Sequence, residues 1–168
     1  FEFDAKLKEI KMELAFSGPA ELHVAIHQKQ DNGTYSRYRD LPDVVISQAG
    51  DGVSHFYSTA DAFPPMSEVI LEAGFDYAIA FAWGSKTITY GRDQQGYPVP
   101  FRAGEVLGLV AAATLPPDPV HPDPDPLIPE IFDILDIFTG GAYSMELCFE
   151  PERGACCLMA SGTCELKF

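Results

Sequence analysis

The stretch "DYAIAFAWG", residues 76–84, decides the fold class. Tyr77, Ile79, Phe81 and Trp83 alternate with Ala78, Ala80 and Ala82. A period of two over seven residues is that of a β-strand, whose successive side chains leave opposite faces. The bulky face, Trp83 included, belongs in a core. The alanine face is small enough to pack closely or to be covered by another element.

Segments on either side read the same way. "IKMELAF" (10–16) puts Ile10, Met12, Leu14 and Phe16 on one side. "ELHVAIHQ" (21–28) puts Leu22, Val24 and Ile26 on one side and His23, Ala25 and His27 on the other. "VVIS", "VSHFYS", "SEVILEA", "TITYG" and "EVLGLVAA" are short and rich in strand formers, and "SGP", "AGDG", "EAGFD" and "WGSK" mark turns between such segments. Asp31-Asn32-Gly33 is a hairpin signal, because Asn and Gly tolerate the positive φ that tight turns need. Phe3, Leu7, Ile10 and Leu14 also fit a helical stripe. A strand with a bulge near Lys8–Glu9 accounts better for the phase shift there. In "YSMELCF" (143–149), Tyr143, Met145, Leu147 and Phe149 should face inward. Many short strands with regular turns predict an all-β protein, a β-sandwich or jelly roll.

Residues 115–141 depart from this pattern. Seven of the sixteen residues from 115 to 130 are proline, so this stretch should run extended, near polyproline II. "PEIFDILDIF" then reads as one short helix, with Pro129 at its first position, Glu130 and Asp133 near its positive end, and Gly140 and Gly141 ending it. Its apolar arc of Ile131, Phe132, Ile134, Leu135 and Phe138 is a candidate partner-binding surface. The arc could dock on a neighbouring subunit or close the domain's own open edge. The organisation expected is a single domain, with a sandwich over 1–114, the proline-rich acidic excursion over 115–141, and a last strand plus cysteine tail over 142–168.

Composition bounds the function. The chain has 168 residues, with 25 acidic against 11 basic and a formal net charge of −14. Phosphate backbones are bound through Lys and Arg, so nucleic acid is not an expected partner. No run reaches the ~18–20 apolar residues of a membrane-spanning helix. The abrupt start at Phe1, without Met, reads as a piece of a longer precursor.

Cys148, Cys156, Cys157 and Cys164 crowd the last part of the chain. The spacing C-x7-CC-x6-C with no nearby His does not match zinc knuckles. A catalytic thiol needs a base and a positive setting, and only Arg153 and Lys167 are local. Two disulfides are the expectation, which implies an oxidising, extracellular or cell-surface location. Adjacent Cα atoms are ~3.8 Å apart, too close for an ordinary bridge, so Cys156 and Cys157 should belong to different bridges. A hairpin turning around Glu152 and Arg153 would set Cys148 opposite Cys157 and leave Cys156 for Cys164.

"GACC", a short loop and "GTC" resemble a cysteine motif of secreted, surface-associated proteins of Planctomycetes-type bacteria. The stretch from "LHVAIHQKQDNGTY" to "ITYG" resembles β-sandwich modules of secreted bacterial surface proteins. Both resemblances imply location and architecture and carry no catalytic signature.

His23 and His27 stand roughly 13 Å apart along one strand face, too far to grip one ion, and His55 and His121 have no local ligand pattern. There is no G-x-S-x-G elbow, phosphate-binding Gly loop or EF-hand loop, and an enzyme is not expected. No metal ligands are assigned and no cofactor is expected. "KQDNGTY", "QAGDGVS" and "GRDQQGY" could offer oxygen ligands to calcium, though each also reads as a plain hairpin turn. Tyr90 and Tyr97 are candidates for stacking on a carbohydrate. The sequence therefore points to a structural or assembly module of an extracellular or cell-surface protein, able to associate with protein, itself included. A carbohydrate-binding module is the alternative.

Overall fold

The computed structural model describes residues 4–16, 18–46, 53–83, 88–90, 92–93, 96–101, 104–114, 128–140, 142–150, 155–158 and 163–166. Their strands, in chain order, are β1 (Ala5–Phe16), β2 (Ala20–Lys29), β3 (Tyr35–Asp40), β4 (Val44–Ile46), β5 (His55–Ser58), β6 (Val69–Leu71), β7 (Tyr77–Trp83), β8 (Ile88–Tyr90), β9 (Arg92–Asp93), β10 (Val99–Phe101), β11 (Gly104–Val106), β12 (Leu109–Thr114), β13 (Ile131–Phe138), β14 (Ala142–Tyr143), β15 (Met145–Phe149), β16 (Ala155–Leu158) and β17 (Thr163–Leu166). A single 3-10 turn, Thr59–Asp61, is the one helical element among the described residues. The protein is all-β, with several antiparallel sheets.

The larger sheet is organised around β1, whose twelve residues serve several partners. β15 runs beside its middle and β8 beside its end, while β6 and β5 share the other edge. From β15 the sheet continues to β16 and β17. The register of β1 against β15 shifts between Leu7 and Glu9, where the sequence predicted a bulge. The second sheet is organised around β2. β7 pairs with it from Leu22 to Gln28 on one edge, and β3 and β4 divide the other edge. β3 then pairs with β13, and β13 with β12. Two short pairs, β10 with β11 and β9 with β14, complete the described sheets.

One core cluster unites the two larger sheets. Leu7, Ile10, Met12, Leu14 and Phe16 of β1 meet Leu22, Val24 and Ile26 of β2, with Val44, Ile46, Val69, Leu71 and Leu147. Tyr77, Ile79, Phe81 and Trp83 pack against this cluster, so the bulky face of "DYAIAFAWG" lies on the expected side. Its small face is covered at Ala78, which joins Tyr35 and Phe132 in a second cluster. The Asp31-Asn32-Gly33 signal forms the β2–β3 hairpin. Gly33 has φ of 89°, and its N–H donates to the Gln30 carbonyl at 2.9 Å.

The structure corrects the sequence reading at three points. The helix expected over "PEIFDILDIF" is the strand β13. Ile recurs at 131, 134 and 137 and favours extended backbone, and pairing with β3 and β12 gives that backbone its partners. The last strand is not continuous over 143–149: it divides at Ser144, with Tyr143 in β14 and Met145 beginning β15. Leu147 is buried, and Met145 and Phe149 pack against the core as expected. The β15–β16 register differs by one residue from the reading above, with Cys148 opposite Cys156 and Leu147 opposite Cys157. The polyproline stretch 115–127 lies outside the described residues.

Candidate functional site

The candidate site is β13 and the segment that leads into it. Its first residues are held to β2 and β3 by two side chains from opposite strands. Nε2 of His27, fully buried on β2, donates to the Pro129 carbonyl at 2.9 Å. Arg37 on β3 has a side chain only 4% exposed. Its guanidinium meets Asp40 at 3.0 Å and Glu130 at 3.3 Å, and Nη2 donates to the Ile128 carbonyl. The planar fork suits this work, because several fixed donors can serve carboxylates and a carbonyl together. The Arg37 backbone N–H also donates to the Glu130 carbonyl at 2.8 Å, which continues the β3–β13 ladder. Ile128 is buried beneath this clamp.

Phe132 completes the anchor. Its ring lies between two neighbours, Tyr35 at 5.7 Å and His27 at 4.6 Å between centroids. Burial pushes the Tyr35 hydroxyl pKa up, and the nearby Asp76 carboxylate adds to the rise. Ile134 packs against the same cluster.

Beyond this anchor the strand changes character. Only Ile131 and Phe132 pair with β3. Farther on, β13 is flanked by β12, and the register shifts so that Ala111 faces Asp136 while Ala112 faces Ile134. Leu135 is the extra residue of this bulge. A bulge redirects the side chains that follow it, and here the apolar ones emerge. Leu135 is 69% exposed, Phe138 50% and Ile137 38%, and Ile131, before the bulge, is 36% exposed.

Of the five partner-binding candidates, Phe132 and Ile134 therefore turn into this chain's own second cluster, while Ile131, Leu135 and Phe138 are presented to solvent. Ile137 joins the exposed set and was not picked out from the sequence, because a helical arc left it on the wrong side. His27, Tyr35 and Arg37 were also missed as anchors. Their partners are far away in the chain, and no local spacing announces them.

The other candidates are dispersed. The side chains of Cys156, Cys157 and Cys164 lie outside the described residues, and Cys148 is buried on β15. The side chain of Tyr90 is likewise outside them. Tyr97 is buried with Val99 in a small cluster of its own, so its ring offers no exposed stacking face. His23 Nδ1 lies 2.8 Å from Asp43 on the outer end of β2, and the His55 ring packs edge-on to Tyr57. His121 lies outside the described residues. Among the described residues no three His, Cys, Asp or Glu side chains converge to hold a metal ion. In "KQDNGTY", Asn32 Oδ1 accepts from the Thr34 N–H and hydroxyl, so it is engaged in shaping the turn. Most of "QAGDGVS" lies outside the described residues, as do Gly91, Gln94 and Gln95 of "GRDQQGY", whose Arg92 and Asp93 pair with β14. No helix among the described residues is long and apolar enough to cross a membrane.

Comparison of the chain with protein families, with characterised proteins and with solved structures finds no match.

Proposed function

We propose that this chain is a structural module of an extracellular or cell-surface assembly, and that it self-associates through β13. The observation that carries this reading is the number of large apolar side chains, Ile131, Leu135, Ile137 and Phe138, exposed along one strand near the end of a sheet. Apolar side chains grouped in this way mark interaction sites. Among the described strands the neighbouring β12 ends the sheet on that side, and a terminal strand is itself a template for another chain.

In the same reading the two larger sheets face each other as a β-sandwich of jelly-roll type. The shared core cluster, drawn from β1, β6 and β15 on one side and β2 and β4 on the other, supports that packing. The cysteine tail is oxidised, in keeping with the extracellular setting.

The test is sedimentation of the chain beside the double variant Leu135→Asp/Phe138→Asp. The parent should associate in a concentration-dependent way, and more strongly as salt screens the −14 charge. The variant should stay monomeric with an unchanged thermal midpoint. A parent that is monomeric at every concentration and salt level would overturn the proposal.

A further inference from the structure

The strands β15, β16 and β17 form an antiparallel meander, and its register places each cysteine directly opposite another. Cys148 faces Cys156 across β15–β16, and Cys157 faces Cys164 across β16–β17. We infer that the tail carries two cross-strand disulfides, Cys148–Cys156 and Cys157–Cys164. This rests on the extracellular reading, under which the thiols are oxidised.

Four cysteines allow three connectivities, and the register separates them. Residues directly opposite in an antiparallel pair share a face and have Cα atoms about 4.5 or 5.5 Å apart. Both distances fall within the ~4.4–6.8 Å range of disulfides. Pairing Cys148 with Cys157 would join positions offset by one residue, since Cys157 faces Leu147. A one-residue offset sets the side chains on opposite faces of the sheet. Pairing Cys148 with Cys164 would reach across two strand spacings, about 10 Å, and would force Cys156 to bridge its own neighbour.

The adjacent cysteines of "ACCL" thus serve opposite faces of one strand. Cys157 and Cys164 continue the row that begins with Ile10 and Leu147, both buried in the core. Cys148 and Cys156 continue the row of Glu9. Each bridge forms when two thiols give up two protons and two electrons to an external disulfide such as oxidised glutathione, which is reduced to two thiols.

The experiment uses the whole chain, folded in a glutathione redox buffer. Alkylation after denaturation without reductant should label no cysteine. Partial reduction at acidic pH, alkylation, digestion and fragmentation should then place labels together on Cys148 and Cys156, or on Cys157 and Cys164. Labels on Cys148 with Cys157, or on Cys156 with Cys164, would overturn the pairing while leaving the oxidised tail standing. Four labelled thiols before reduction would overturn the oxidised tail and the pairing with it.

Discussion

The ring of Phe132 stacks on that of Tyr35 with their planes only 4° from parallel. This contact joins the second residue of β13 to the first of β3 and separates an anchor from an exposed stretch on the same strand. Phe132→Ala should destabilise the fold by about 3–5 kcal/mol, the usual cost of truncating a buried aromatic. Leu135→Ala, three residues on, should change stability by less than about 0.5 kcal/mol. Chemical denaturation of the two variants checks the contrast. Equal losses would mean that Leu135 is covered in the monomer.

Thr59 links the 3-10 turn to β1. Its buried hydroxyl accepts from the Ile10 N–H at 3.0 Å. Thr59→Val keeps the shape and removes the acceptor, so it should cost about 1–3 kcal/mol for a buried donor left without it. Thr59→Ser should recover most of that loss in the same denaturation series.

Gly108 precedes β12 with φ of +132°, and a Cβ there would overlap the Phe138 carbonyl oxygen. Gly108→Ala therefore meets backbone on two counts, conformation and contact. It should lower the thermal midpoint more than Gly33→Ala, whose Cβ would enter open space. Similar midpoints for the two variants would contradict the close approach of Gly108 to Phe138.

A network of charges joins β1 to the residue before β6 and the residue after β15. Lys6 lies 3.0 Å from Glu150 and 3.5 Å from Glu68, and Lys8 contacts both carboxylates. Lys8 beside Glu68, and Lys6 beside Glu150, hold those carboxyls below the usual range. Their stabilisation is therefore complete above the ordinary carboxylate value and is lost as pH falls through the lowered folded values. The lysine values are raised, through Glu150 at Lys6 and Glu68 at Lys8. Their share is complete below the ordinary lysine value and is lost as pH rises through the folded one. The groups are at the surface, so salt should weaken both arms. Denaturation midpoints followed across pH, for the parent and for Glu68→Gln/Glu150→Gln, should differ at neutral pH and converge in acid.

Much of the sheet structure was legible because local alternation matched global burial. In "DYAIAFAWG" the bulky and small positions were correctly sided, and the slip in phase at Lys8–Glu9 located a bulge before any partner strand was known. β13 was misread for a physical reason. Pro129 and the acids at 130, 133 and 136 imitate a helix start, and apolar residues two of every three fit a helical arc as well as an extended strand. What decides between them is the open edge of β3, which lies far back in the chain. The same distance hides Arg37, since its value as a clamp depends on carbonyls and a carboxylate that only tertiary structure brings to it. The cysteine register was missed by one residue because it depends on how the turn between β15 and β16 is centred.

The central position of β1 has a consequence for the order of events. Its middle is paired with β15, which lies near the far end of this chain, although β1 is the earliest of the strands to be made. Pairing over such a separation must close a large loop before any contact rewards it, and folds dominated by such contacts form slowly. During synthesis the edge of β1 that pairs with β15 stays without it until almost all these strands have emerged. β15 therefore completes the sheet of β1 last, adding Leu147 to a core whose other buried members all lie between residues 7 and 71.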